Sequence, residues 1–220
     1  MKFDVNHLVF FGHSQGSMHG SLGLPYTDDY RAALLSGNGA SLLDALLTKT
    51  KPENIAAAVP FALGGDYENT TSHKLFGGGD HPVLSILQQW IDPADPLNFA
   101  RTIAKNPVLG IRSKSVFQTY GLGDTYSPPV TLKTYAVAAE LDVAAHDSSV
   151  SKPDSIAGFP EVPVPLSGNF EKNFTLAVRE YQPPSDKDGH FVVFDVPSAN
   201  QDAIRFLAGA ASGGVPVVGK

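Results

Sequence analysis

The stretch His-Leu-Val-Phe-Phe-Gly-His-Ser-Gln-Gly, residues 7–16, constrains this chain more than any other. A continuously apolar run of this kind reads as a short strand buried on both faces, the habit of a parallel sheet. It runs straight into Gly12-His13-Ser14-Gln15-Gly16, after which "SQGSMHGSLGL" reads as a small-residue helix ending before Pro25. Strand, tight Gly-x-Ser-x-Gly turn and helix together make a setting in which a serine hydroxyl is presented at the end of a sheet. A serine is a poor nucleophile until a base takes its proton, and that base needs an orienting carboxylate. Ser14 therefore directs attention to acids and histidines further along. The plainer reading of Ser14 is a Gly/Ser turn residue.

The rest of the chain alternates in the same way. "YRAALLSGNG" (30–39), "SVFQTYGLGD" (115–124) and "NFTLAVREY" (173–181) read as three further strands. Helical spacing marks "SLLDALLTK", "PENIAAAV" with Pro52 in its first turn, "DHPVLSILQQWI", "DPLNFARTIA" and "TLKTYAVAAEL". "SANQDAIRFLAG" reads as a closing helix with a Ser198–Gln201 capping box. "DSSVSKPDSIAGFPEVPVPLSGN" reads as a Pro/Ser/Gly-rich loop. Strands alternating with helices predict an α/β fold with a short, mainly parallel sheet of about four strands. The extra helices cluster between the second and third strands. The expectation is one domain over 1–220 with a helical insertion at 42–110.

Two positions complete the chemistry of Ser14. Asp124, in "GLGDTYSPP", lies just past the third strand, at the carboxyl end of the sheet where open α/β sheets bind ligands. His190, in "SDKDGHFVVF", follows the fourth strand and is placed to reach over the serine. The order Ser, acid, His is that of hydrolases built on this strand–turn–helix. Asp124 also reads as a turn aspartate and His190 as a loop histidine beside a glycine. Asp142 and Asp147 are the fallback acids, although neither directly follows a predicted strand. His146 is the rival base. His7, His19, His73 and His81 lie before the first strand, in a helix or in the insertion, and His13 is expected to turn into packing.

Other chemistries have weaker support. The Asp-His pairs in "GGGDHP" and "DGH" lack metal-ligand spacing. "FGGGD" lacks the Lys-Ser/Thr of a phosphate loop and follows no strand. With no Cys among 220 residues, thiolate nucleophiles and disulfides are excluded. The net charge of −6 comes without a basic stripe, so nucleic acid is not an expected partner. No apolar run approaches the length of a membrane span, and the first residues lack the features of a signal peptide. The compartment stays open.

The motifs "GHSQG", "GLGDTYSPP" and "DGHFVVF", in that order, resemble the α/β-hydrolase superfamily, in particular bacterial lipases and esterases. The resemblance implies Ser14 as nucleophile, Asp124 as orienting acid, His190 as general base and the Gln15 N–H as an oxyanion donor. It implies no cofactor. "HPVLSILQQWIDPADPLNFA" is similar to the helical cap such enzymes insert over the site. Leu84, Leu87, Trp90 and Ile91 would then offer an apolar wall for a short-to-medium acyl chain, with His13 beside the substrate. Ordinary packing of an amphipathic helix accounts for the same side chains.

In that family further strands precede the nucleophile strand. The resemblance covers nearly all of this chain but only the C-terminal portion of the usual fold. It leaves without counterpart the loop that supplies a second oxyanion donor, whose loss typically costs a factor of about a hundred to a thousand in rate. It also leaves the first strand without its usual neighbour, and an unpaired apolar edge invites another chain. The expectation is a homodimer through that edge, or membership of a larger protein.

Overall fold

The computed structural model describes residues 4–62, 82–154, 156 and 158–220. Five strands form one all-parallel sheet: β1 (Leu8–His13), β2 (Tyr30–Ser36), β3 (Ser115–Gly121), β4 (Asp142–Ala144) and β5 (Leu176–Tyr181). Their spatial order is β1-β2-β3-β5-β4. The described residues also hold seven α-helices: α1 (Gln15–Gly23), α2 (Leu42–Thr48), α3 (Ile55–Ala62), α4 (Pro82–Ile91), α5 (Pro129–Ala138), α6 (Val192–Asp195) and α7 (Pro197–Ala211). None of them is long and apolar enough to cross a membrane.

The apolar runs of β2, β3 and β5 become strands because both faces are covered, whereas β1, expected to be buried on both faces, lies at the sheet edge and is mostly half-buried, with Phe11 46% exposed. Successive residues of a strand point to opposite faces, and the core divides accordingly. Ala33, Leu35, Val116, Tyr120, Leu176 and Val178 pack with Leu132, Tyr135 and Ala136 of α5. Ala32, Leu34, Phe117, Ala177 and Tyr181 pack on the other face with Val192, Val193, Ala203 and Phe206 of α6 and α7. A parallel sheet needs such cover on both sides, which is why its central strands carry no polar alternation.

Several local expectations are corrected. The described residues hold five strands, because β4 adds three residues beyond β5; so short a segment carries no readable period. "DPLNFARTIA" forms two 3₁₀ turns, Pro96–Asn98 and Ala100–Ile103, instead of an α-helix. Asp95 caps the first of them, accepting from Leu97 N–H at 3.0 Å. Its carboxylate also accepts from Ser41 N–H at 2.9 Å and Leu42 N–H at 2.7 Å, so it anchors the start of α2 across the fold. Pro52 lies outside the helix it was expected to open, since α3 begins at Ile55. The Ser198–Gln201 capping box does not form: Pro197 opens α7 after Val196, so Ser198 already lies inside the helix. The expected helix at 131–141 is α5, two residues earlier at its start and ending at Ala138, just ahead of Glu140 at φ 53°.

Candidate active site

All five strands run the same way, so the segments that follow them gather at one rim of the sheet. Ser14 stands between β1 and α1 at φ 55° and ψ −128°, a conformation costly for a residue with a side chain. Its N–H donates to Ser36 O, at the end of the neighbouring β2, at 2.8 Å. Its carbonyl accepts from Ser17 and Met18 N–H and starts α1. Of the two motif glycines, only Gly12 relieves crowding: a Cβ there would come 2.6 Å from Ser17 Cα, whereas a Cβ at Gly16 would meet nothing within 4 Å. The Gln15 N–H, the first donor of α1, has no hydrogen-bond partner among the described residues. Helix N-termini leave such donors open to a developing negative charge.

Asp124 follows β3 by three residues and is buried, as is His190. His190 Nδ1 lies 2.9 Å from Asp124 Oδ2 and 3.1 Å from Oδ1. Asp124 Oδ1 also accepts from Tyr126 N–H at 2.8 Å and Ser127 N–H at 2.7 Å, which fixes the carboxylate before it meets the ring. The imidazole packs against the rings of Tyr126, His13 and Phe191. Tyr126 stacks on it with centroids 4.8 Å apart, and His13 approaches at 4.7 Å. A Cβ at Gly37, where φ is +55°, would stand 2.7 Å from His190 Cε1, so the turn after β2 also limits where the ring can go.

Ser14 and His190 open onto one pocket of about 660 Å³. Among the described residues no hydrogen bond joins Ser14 Oγ to the imidazole. Gln15 and His13 line the same pocket, and its apolar wall includes Met18, Leu42, Leu46, Ile55 and Phe191. His13 keeps Nδ1 3.2 Å from Ser36 Oγ. Burial first, and the nearby His190 second, hold its pKa down at about 4, so it sits beside the site as a neutral ring.

The other candidates are elsewhere. Leu84 is buried away from the pocket, Leu87 is half-buried, and Trp90 is 81% exposed; none of the three lines the cavity. Their helix, α4, fully buries only Leu84 and leaves Val83, Ile86 and Trp90 exposed, and α2 and α3 supply the wall instead. His146 pairs with Glu161 at 2.6 Å. Asp142 accepts from Asn169 Nδ2 at 2.8 Å, and Asp147 is bonded by Ser149. His73 and His81 lie outside the described residues.

Sequence reading missed Tyr126 and Asp188. Asp188 caps the turn that carries His190, accepting its N–H at 3.0 Å. Burial alone would raise its pKa, but hydrogen bonds from Thr125, the His190 N–H and Lys51 leave it below the ordinary carboxylate value. An aspartate two residues ahead of a turn residue is a recognised local signal, and "DGH" contains it. Nothing in the sequence marks Tyr126 as a stacking partner. No protein-family model matches this chain, and no curated protein sequence matches it.

Proposed function

We propose that this protein is a serine hydrolase that cleaves carboxylic esters of small molecules through an acyl-enzyme. The observation that carries this reading is the buried Asp124–His190 pair opening onto the pocket that Ser14 enters from a strained strand-to-helix turn. His190 Nε2 takes the Ser14 proton as Oγ attacks the ester carbonyl, and Asp124 holds the imidazolium that forms. The Gln15 N–H donates to the oxyanion. The tetrahedral adduct collapses, His190 returns the proton to the departing alcohol, and the acyl group stays on Ser14. Water activated by His190 then releases the acid. The apolar wall from α1, α2 and α3 favours a short-to-medium acyl chain, and we assign the described residues of the expected 42–110 insertion, 42–62 and 82–110, the part of a cap over the site; residues 63–81 of it lie outside the described residues.

In this reading β1, β2, β3 and β5 form the part of an α/β-hydrolase sheet that begins at the nucleophile strand. A fluorophosphonate probe tests it directly. Ser14 should be labelled, labelling should vanish in Ser14→Ala, and p-nitrophenyl butyrate should be hydrolysed only by the unsubstituted chain. Labelling that persists in Ser14→Ala ends the proposal.

A second reading is a catalytically weak or inactive hydrolase domain that folds by self-association. The observation favouring it is that β1 occupies one edge of the sheet with Phe11 46% exposed. Pairing through that edge as a homodimer predicts a dimer in sedimentation equilibrium that Phe11→Lys weakens. A compact monomer across the concentration range removes it.

A further inference from the structure

We propose that Asp188 is a positioning residue that locks the His190 turn against the Asp124 loop, an inference that rests on the ester-hydrolase reading for its catalytic consequence. The two loops are joined by a reciprocal pair of aspartates. Asp124, on the loop after β3, reaches forward to His190 on the segment after β5. Asp188, on that second segment, reaches back to Thr125, the residue next to Asp124. Its Oδ1 accepts from Thr125 N–H at 3.1 Å as well as from His190 N–H, and its Oδ2 accepts from the Thr125 hydroxyl. One carboxylate thus holds the backbone of the acid loop and the backbone of the histidine itself.

The packing beneath this brace is tight. A Cβ at Gly121 would fall 1.8 Å from Gly189 O, so the two backbones touch where they cross. A third segment joins the same point. Lys51 Nζ lies 3.3 Å from Asp188 Oδ2, and the N–H groups of Thr50 and Lys51 both donate to Thr125 O. Lys49 and Pro52, on either side, line the pocket. Asp188 itself does not line it, so it touches no substrate. Its action on the reaction passes through His190, by keeping Nδ1 on Asp124 while the ring accepts and returns a proton.

The unsubstituted 220-residue chain with ¹⁵N-labelled histidine provides the test. The Nδ1–H resonance of His190, identified by its loss in His190→Ala, should exchange with water at least about tenfold faster in Asp188→Ala, because an unpinned turn exposes that proton more often. Asp188→Asn keeps one acceptor oxygen for the two N–H donors and should fall between. It decides the matter alone if the alanine variant does not fold. Fluorophosphonate labelling of Ser14 should slow roughly tenfold to a hundredfold in Asp188→Ala, the range expected from misplacing a catalytic group by an ångström or less, with KM for p-nitrophenyl butyrate within about twofold of the unsubstituted chain.

An exchange rate unchanged in a folded Asp188 variant overturns the brace. An unsubstituted chain that resists the probe defeats the ester-hydrolase reading, while proton exchange still judges the brace. An unsubstituted chain that labels, with Asp188→Ala labelling at the same rate, defeats the positioning role.

Discussion

Asp124 and His190 bond 2.9 Å apart with 1% and 2% of their side chains exposed. Few buried charged or ionisable pairs persist without further support, because desolvation offsets much of their attraction. Here the support is the pair of N–H groups from Tyr126 and Ser127, which satisfies the carboxylate oxygen that the ring shares.

That arrangement makes Asp124→Asn informative. The amide oxygen can keep both backbone donors, and the NH₂ group then faces His190 Nδ1. The ring must turn to the tautomer with Nδ1 as acceptor, leaving a proton on Nε2 where a base is needed. Ester hydrolysis should fall by roughly three to four orders of magnitude, with the urea midpoint little changed. Near-normal turnover in a folded Asp124→Asn would remove Asp124 from the mechanism.

Gly37 bounds the other side of the ring. At φ +55° an alanine is strained, and its Cβ would lie 2.7 Å from His190 Cε1 and 2.8 Å from Nδ1. Gly37→Ala should lose about 1–3 kcal/mol of stability from strain and overpacking. It should also slow hydrolysis by displacing the imidazole. Urea unfolding and steady-state rates on the same sample measure both effects.

The acyl wall is assigned to α2 and α3, not to the exposed face of α4. Leu46→Trp should therefore cut kcat/KM for an octanoyl ester roughly tenfold while changing that for an acetyl ester by no more than about threefold. Trp90→Ala, at a site 81% exposed, should leave both unchanged. The reverse pattern would return the substrate to α4.

Glu180, on β5, gives a pH signature independent of catalysis. Burial first, then the neighbouring Asp154 and Glu161, push its pKa from 4.5 up to about 7, against a hydrogen bond from Asp154 N–H and the charge of Lys133. One carboxylate oxygen is buried without a partner among the described residues. Because the folded value lies above the unfolded one, folding favours the protonated acid. The stabilising contribution is whole below about pH 4.5 and is lost as pH rises through about 7. Between those values stability should decline with a slope of about 1 kcal/mol per pH unit from this group. Glu180→Gln should lack that slope, so the urea midpoints of variant and unsubstituted chain should diverge between pH 5 and pH 8. Parallel curves would contradict the assignment.

The parallel sheet and its main strands were legible in the sequence because an apolar run such as "AALL" has one economical destination, a strand covered on both faces; "LVFF" also forms a strand, but a half-buried one at the sheet edge. Ser14, Asp124 and His190 stood out for a related reason: each follows such a run, and a parallel sheet brings every strand end to the same rim.

Tertiary structure alone decided the rest. β4 exists because three residues meet an exposed edge of β5, a long-range pairing with no local period. Asp95 caps α2 from 53 and 54 residues away in sequence, Tyr126 covers His190, and Asp188 ties that turn to Thr125. The pocket wall moved from α4 to α2 and α3 because amphipathic spacing says that a helix buries one face and never says against what. Local patterns carry information about residues a few positions apart, whereas which buried groups satisfy one another is settled only when distant segments close-pack.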